Sequence, residues 1–145
     1  MTLDRRIAAS PAEVFADWTQ PERLEWYLNP NAPQSATVPI TVDLRVGGAW
    51  CVPMIIDRET AYMTGGVYRE IVPGQSIRFL WGARPGWPDP DDEREALLSL
   101  EGDDGHTVLA FQLTWRPRDD DDVTIWPMCV AGWNDTIDRL VQKHS

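Results

Sequence analysis

Apolar residues recur at two different spacings along the chain, and the changes of spacing mark the predicted elements. Residues Leu3 to Ala8 predict a short opening strand. The segment Ser10 to Glu13 combines a capping serine, a proline at the first helical position and a glutamate three residues after the serine, which predicts a helix through Trp18. Thr19 to Glu22 repeats this arrangement and predicts a second short helix through Tyr27.

Alternation with a period of two then dominates the middle of the chain and predicts a meander of antiparallel strands. Gly47-Gly48 and Pro73-Gly74 are turn pairs between consecutive strands. The predicted strands cover residues 37–44, 50–56, 62–72, 77–81, 94–101 and 109–115.

Helical spacing returns in the last segment, where one apolar stripe consists of Trp126, Val130, Trp133, Ile137 and Leu140. Pro127 requires this helix to begin near Thr124, because proline lacks the N–H group that a helix interior needs. The whole chain, residues 1–145, is predicted to be one α+β domain in which about six or seven strands curl around the terminal helix.

Five sequence segments, at residues 9–15, 43–50, 66–73, 77–81 and 132–140, carry a resemblance to known proteins. In this order they resemble the helix-grip fold of the START-like (SRPBCC) superfamily, the fold of the birch-pollen allergen. Within it they are similar to the family named after the activator of the heat-shock-protein-90 ATPase. The resemblance implies a cavity between the curved sheet and the long helix that holds apolar small molecules.

Charge and composition narrow the possible partners. The chain has 13 basic and 23 acidic residues among 145, a net charge of -10, which repels phosphate backbones and anionic lipids. Nucleic acid and membranes are therefore not expected partners, whereas a homodimer is compatible with the sequence. The acidic runs Asp89 to Glu95 and Asp119 to Asp122 are expected to be solvated. Without a long apolar segment, the protein is expected to be cytoplasmic.

Residue types for catalysis or metal binding are sparse. The two histidines, His106 and His144, lie beside a turn and at the C-terminus, so neither is expected to activate a nucleophile. Cys51 and Cys129 lack a second metal ligand at short spacing and are interpreted as reduced thiols. We predict no catalytic residue, no metal and no cofactor.

The remaining signal is aromatic, since 8 of the 145 residues are tryptophan. Large aromatic side chains at these spacings usually form the core, but a curled sheet over one helix leaves an interior that they must either fill or line. Trp87, in a long Pro- and Gly-rich loop, is a candidate lid or a cap on a sheet edge. The predicted cavity-lining residues are Trp26, Trp50, Met54, Tyr68, Phe79, Trp81, Phe111, Leu113, Met128 and Trp133.

Three functions remain open. The first is binding of an apolar or aromatic small molecule in this cavity, with Tyr68 as a polar anchor unless its hydroxyl bonds the backbone or faces outward. The second is an aromatase- or cyclase-like enzyme, which needs an inward Tyr68 or Glu70; Arg69 and Glu70 are expected to straddle the sheet. The third is a co-chaperone-like protein-interaction module with an acidic surface. An enzyme is the less favoured interpretation.

Overall fold

The described chain begins with one strand and two short helices, continues as a meander of strands and ends in one long helix. The computed structural model describes residues 1–28, 39–55, 61–83, 94–115 and 119–145. The described elements, in chain order, are β1 (Thr2–Ile7), α1 (Pro11–Thr19), a 3₁₀ helix (Pro21–Tyr27), β2 (Thr41–Val42), β3 (Ala49–Ile55), β4 (Ala61–Val72), β5 (Ser76–Ala83), β6 (Glu95–Gly102), β7 (Thr107–Thr114) and α2 (Asp120–Lys143).

The seven described strands form one curved antiparallel sheet in the order β1-β7-β6-β5-β4-β3-β2. Sequential strands are neighbours, except that β1 pairs with β7 and so forms one edge. Alternation with period two is clear in β7, where Leu109, Phe111 and Leu113 are buried and Val108 is exposed. This architecture confirms the predicted helix-grip fold, with a curved sheet around a long C-terminal helix.

Strand β2 is much shorter than the predicted strand over residues 37–44, which was wrong at its C-terminal end. Asp43 N–H donates to the Ala49 carbonyl at 2.9 Å, and Gly48 N–H donates to the Arg45 carbonyl at 2.9 Å, so the chain already turns there. The Arg45 side chain pairs with Asp43 at 2.8 Å, and Leu44 is left 46% exposed. Residues 37 and 38 lie outside the described residues.

An irregularity in β4 decides which way its polar residues face. The pairing with β5 shifts register between Tyr68 and Glu70, which places a β-bulge at Arg69. Arg69 and Glu70 are both exposed, whereas Tyr68 is 1% exposed. The prediction that Arg69 and Glu70 straddle the sheet, on opposite faces, is therefore wrong, because the extra residue of the bulge leaves both side chains exposed to solvent.

The helices after β1 begin differently from one another. Ser10 Oγ accepts a hydrogen bond from Glu13 N–H at 3.3 Å, and Pro11 occupies the first helical turn, so the predicted capping of α1 is confirmed. Thr19, however, donates to the Phe15 carbonyl at 2.8 Å. The predicted repeat of the capping arrangement at Thr19 is wrong, because that hydroxyl belongs to the end of α1 and Gln20 occupies the cap position.

Helix α2 begins four residues earlier than the prediction, at Asp120, and Pro127 lies inside it. Asp119 caps the helix by accepting from Asp122 N–H at 2.8 Å, and three aspartates occupy the positive end of the helix dipole. Because Pro127 has no N–H group, the carbonyl of Val123 lacks its helical hydrogen-bond donor. Val123 is 57% exposed, so water can donate to this carbonyl instead. The favourable first turn offsets this loss.

The C-terminal half of α2 is fastened to the rest of the protein, whereas much of its N-terminal half is exposed. The buried carboxylate of Asp17 in α1 contacts Lys143 Nζ at 2.6 Å and His144 Nε2 at 2.5 Å. Arg139 donates to the carbonyls of Trp26 at 3.0 Å and Tyr27 at 2.9 Å. Of the predicted stripe, Trp133, Ile137 and Leu140 are buried, while Trp126 and Val130 are only half-buried.

Candidate functional site

A pocket of about 250 Å³ opens between α2 and the inner face of the sheet, beside Trp133. Four further elements or their flanks contribute to it: the 3₁₀ helix, β4, β5 and the residue that precedes β6. The described residues that line it are Tyr27, Thr64, Trp81, Arg94, Ile125, Met128, Cys129, Gly132, Trp133 and Thr136.

Helix α2 supplies one side of this pocket through a second face, next to its core stripe. Residues at positions 125, 128, 129, 132 and 136 recur at steps of three and four, so they share one side of the helix. Gly132 stands in the middle of this side, and a Cβ atom added there would meet nothing within 4 Å. The space beside Gly132, at the edge of the pocket, is therefore open and could hold a larger side chain.

Hydrogen bonding around Thr64 fixes the floor of the pocket. The Thr64 hydroxyl donates to the Gly82 carbonyl at 3.2 Å and accepts from Trp81 Nε1 at 3.3 Å. The Tyr27 hydroxyl lies 3.2 Å from the same oxygen. A hydroxyl has one proton and two lone pairs, so with its proton on Gly82 it accepts from both Trp81 and Tyr27. Thr64 thus holds the 3₁₀ helix, β4 and β5 together.

Arg94 brings a positive charge to the pocket. Its guanidinium carbon lies 5.1 Å from the Trp81 ring centroid and 5.5 Å from that of Trp115, and the residue is 8% exposed. Rings at this distance stabilise a desolvated cation through their negative faces. The Arg94 carbonyl also accepts from Trp81 N–H at 2.7 Å, which fixes its backbone against β5.

The charge of Arg94 reaches the opposite wall, where Cys129 lies half-buried. Burial has the largest effect on the pKa of the Cys129 thiol and raises it. The charge of Arg94 lowers this pKa, and the charge of Asp122 raises it. The thiol is therefore a neutral, weakly polar part of the wall.

The centre of the fold, next to the pocket, is filled by aromatic rings that meet at Trp133. Its ring centroid lies 4.5 Å from Phe111, 5.5 Å from Trp81, 5.8 Å from Tyr27 and 6.5 Å from Trp18. Trp133 is 3% exposed, and its Nε1–H has no hydrogen-bond partner among the described residues. One tryptophan thus belongs both to the packed core and to the pocket wall.

The structure separates the predicted cavity residues into three groups. Trp81, Trp133 and Met128 line the pocket, with Met128 at its rim because that side chain is 72% exposed. Leu113 and Trp26 line two other surface grooves. The remaining described members are buried among core side chains: Trp50, Tyr68, Phe79 and Phe111. The side chain of Met54 and the whole of Trp87 lie outside the described residues.

Tyr68, the predicted polar anchor, faces inward. Its hydroxyl is buried and has no hydrogen-bond partner among the described residues. Burial, followed by the neighbouring charges of Cys51 and Asp43, raises the pKa of Tyr68. Glu70, the other residue considered for proton transfer, is exposed, so the interpretation of Glu70 as an inward acid or base is wrong.

Sequence reasoning did not identify several pocket residues, above all Arg94, Gly132, Thr64 and Tyr27. Two of them left a signal in the sequence. Gly132 is a glycine inside a strongly amphipathic helix, which costs stability unless space is needed there. Arg94 is a cation within the acidic run that starts at Asp89.

A larger groove of about 400 Å³ lies on the other side of the N-terminal half of α2. It is lined by residues of β7 and α2, among them Trp115 and Trp126, whose rings meet edge-on at 4.4 Å. Its described lining includes the chain's first residue, Met1, whose amino group donates to the Leu113 carbonyl at 3.0 Å. The smaller pocket is the stronger candidate because it lies between the sheet and α2 and its lining includes the buried residues Trp133 and Arg94.

A curved sheet around a long helix, with a pocket between them, defines a helix-grip protein of the START-like type. Residues 8–144 match the model of the family described as Activator of Hsp90 ATPase homolog 1-like protein, and the chain belongs to that family. A comparison with curated protein sequences finds no significant relative.

Solved structures share this fold at low sequence identity. A protein of Mycobacterium smegmatis superposes with a TM-score of 0.75 at 17% identity, over 99% of this chain and 89% of the other. The Aha1 dimer from Colwellia psychrerythraea gives 0.66 at 17% identity, over 99% and 96%. An AHSA1-like protein from Aeromonas hydrophila gives 0.69 at 19% identity, over 98% and 90%. The fold and family are consistent with a ligand-binding or interaction module.

The described residues contain neither a membrane-spanning helix nor a cluster of metal ligands. Among them, no helix is long and apolar enough to cross a membrane. Within the same described ranges, no three or more His, Cys, Asp or Glu side chains are arranged to hold a metal ion.

Proposed function

We propose that this protein binds an apolar or aromatic small molecule in the pocket between the sheet and α2. The observation that carries the proposal is the wall of that pocket, where Trp81 of β5 stands opposite Trp133 and the apolar side of α2 around an open volume of about 250 Å³. Removal of apolar surface from water is the expected driving force.

The volume limits the size of the ligand. It lies somewhat below the roughly 300 Å³ at which pockets for drug-sized molecules begin, so we expect one or two rings. About a dozen non-hydrogen atoms at roughly 0.3–0.6 kcal/mol each give a Kd from the low millimolar to the low micromolar range. Titrations should therefore reach millimolar ligand.

Gly132 provides the sharpest test. Indole, naphthalene derivatives and medium-chain alcohols are titrated by calorimetry, and the melting temperature is followed in parallel. At a free concentration ten times Kd, a ligand raises the free energy of unfolding by about 1.4 kcal/mol and the melting temperature by a few degrees. Gly132→Leu places a side chain in the open space beside the helix and should abolish binding without loss of stability, since glycine is a poor helix former.

The matched control is Ala131→Leu, one residue earlier in the same helix, where the side chain is exposed and outside the described pocket lining. This variant should bind like the wild type. The proposal fails if the whole panel gives neither heat nor stabilisation, or if Gly132→Leu and Ala131→Leu bind equally well.

Self-association is a second candidate function, favoured by one observation. Val123 is 57% exposed and Met128 72% exposed, on the half of α2 that is not fastened to the sheet. The relative from Colwellia psychrerythraea is a dimer. Sedimentation velocity of the wild type and of Met128→Glu tests this candidate; a wild type that stays monomeric at high micromolar concentration excludes it.

A further inference from the structure

The Thr64 hydroxyl is the point at which two aromatic side chains of the pocket are held from inside the protein. Thr64 is 1% exposed, and its oxygen lies 3.2 Å from the Tyr27 hydroxyl and 3.3 Å from Trp81 Nε1. Its own proton is donated to the Gly82 carbonyl at 3.2 Å. Both ring side chains therefore end on one buried oxygen, whose position is fixed by β4 and β5.

Each of these two side chains is also held through its backbone. The Tyr27 carbonyl accepts from Arg139 Nη2 at 2.9 Å, and the Trp81 N–H donates to the Arg94 carbonyl at 2.7 Å. A side chain fixed at its backbone and at its polar tip keeps one rotamer, because a change of χ1 would break the hydrogen bond at the tip. The directions of the Tyr27 and Trp81 rings are therefore set by the protein before any ligand arrives.

The two held rings flank Trp133 in the pocket wall. The ring centroid of Trp133 lies 5.8 Å from that of Tyr27 at an interplanar angle of 73°, and 5.5 Å from that of Trp81 at 67°. All three residues line the pocket. Edge-to-face contacts at these distances are an arrangement that aromatic rings prefer. A flat ligand ring can add a further contact of this kind, whereas a saturated ring is puckered and has no π face.

We propose that Thr64 is a specificity-determining residue of this pocket: through Tyr27 and Trp81 it holds a wall of aromatic rings that selects planar aromatic molecules over saturated molecules of similar size. This inference rests on the proposed function and narrows its ligand class from apolar molecules to aromatic ones. Desolvation supplies affinity for both kinds of molecule, because it depends on the apolar area removed from water. The fixed directions of the rings supply the selection.

The test compares 2-naphthol with decahydro-2-naphthol, which share a carbon frame and a hydroxyl group but differ in planarity. Binding is measured by calorimetry at pH 7.5, where both molecules are uncharged. The saturated compound has at least as much apolar surface, so desolvation alone gives no preference for 2-naphthol. We expect the wild type to bind 2-naphthol about fivefold more tightly, which is the contribution of one aromatic pair.

Thr64→Val keeps the shape of the side chain but replaces the hydroxyl by a methyl group, which releases the tips of both rings. This variant should bring the ratio of the two Kd values close to one, whereas Thr64→Ser keeps the oxygen and should keep the ratio. Thr107→Val is the matched control. Thr107 is also a buried strand threonine whose hydroxyl donates to a carbonyl, that of Ala9 at 2.7 Å, but it is not among the described lining residues.

The indole N–H signal of Trp81, assigned with Trp81→Phe, reports on the hydrogen bond without any ligand. It should move upfield in Thr64→Val, because the proton leaves a hydrogen bond, and keep its position in Thr107→Val. A signal that Thr64→Val leaves unchanged overturns the claim that Thr64 holds Trp81.

Tyr27→Phe tests the same role by a smaller change and decides the question if Thr64→Val does not fold. It keeps the ring and removes the hydroxyl that contacts Thr64. The preference for 2-naphthol should fall in Tyr27→Phe and remain in Tyr68→Phe, because the Tyr68 hydroxyl has no partner among the described residues.

The outcomes separate the two proposals. Equal binding of both probes to the wild type overturns the selection for aromatic ligands and leaves the proposed function standing. Binding of neither probe nor any other panel compound removes both proposals. A preference that persists in Thr64→Val or in Tyr27→Phe assigns the selection to other groups and overturns the role of Thr64. A preference that Thr107→Val also loses reflects general loosening of the core and overturns that role as well.

Discussion

Replacement of Trp133 by alanine is the strongest test of how α2 and the sheet hold each other. Trp133 is 3% exposed and contacts the rings of four other residues, three of them within 6 Å. Trp126, two helical turns earlier, is half-buried and meets one described ring, that of Trp115 at 4.4 Å. The two tryptophans share a helix and a residue type but differ in packing.

The expected loss of stability in Trp133→Ala follows from the buried area of the tryptophan side chain. An aromatic side chain buries roughly 150–250 Å², worth about 4–6 kcal/mol at 25 cal/mol per Å². Alanine keeps its Cβ atom, and water can enter the vacated space from the pocket, which limits the cost of a cavity. We therefore expect a loss at the lower end of the range for large-to-small core substitutions, about 3 kcal/mol. For a protein of this size that lowers Tm by about 10 °C.

Urea denaturation and calorimetric melting of Trp133→Ala, Trp126→Ala and the wild type provide the measurement. Trp126→Ala should lose about 1 kcal/mol, the value of one aromatic pair at a half-exposed site. Equal losses in the two variants, or a loss below 1 kcal/mol for Trp133→Ala, would refute the assignment of Trp133 as the residue that joins helix and sheet.

Three further predictions concern single groups. Asp17→Asn removes the buried carboxylate that contacts Lys143, Arg23 and His144. Because these partners are partly exposed, we expect a loss of about 2 kcal/mol in urea denaturation, and a change below 0.5 kcal/mol would contradict the role of Asp17 in holding the end of α2. Tyr68→Phe should leave stability unchanged or higher near neutral pH, since the hydroxyl has no partner among the described residues. Burial raises the pKa of Tyr68, so its contribution to the free energy of unfolding is complete below the unfolded pKa of about 10 and is lost as the pH rises further. Tyr68→Phe should therefore lose less stability than the wild type over that pH range. A steeper loss in Tyr68→Phe would contradict this. Burial also raises the pKa of Cys129, so iodoacetamide at pH 8 should label it more slowly than a free thiol. A bound indole or naphthalene derivative should slow the labelling further while leaving Cys51 unchanged. Equal protection of both cysteines, followed by mass spectrometry, would argue against the pocket as the binding site.

The errors of sequence interpretation have identifiable causes. The predicted helix start near Thr124 is late because the rule that proline is tolerated only in the first turn placed the aspartates before the helix, whereas Asp119 is the cap and Asp120 to Asp122 form the first turn. Arg69 and Glu70 are expected on opposite faces because a regular strand alternates, and the bulge at Arg69 instead leaves both exposed, so the inward Glu70 that an acid or base role requires is not found. Both cases show local rules overridden by the pairing or capping that surrounds them.

Periodicity by itself determined the order of strands and helices and the buried positions of Trp50, Phe79, Phe111 and Trp133. The family came from the resemblance of local sequence segments. Those are properties of neighbouring residues, because burying one face of a strand or helix requires apolar side chains at a fixed local spacing. The pocket is not such a property. Its lining joins Gly132 of α2 to Trp81, Thr64 and Arg94, which come from distant parts of the chain. Only the tertiary structure decides which side chains fill the space under a helix and which leave it open, since that depends on how separate elements approach one another.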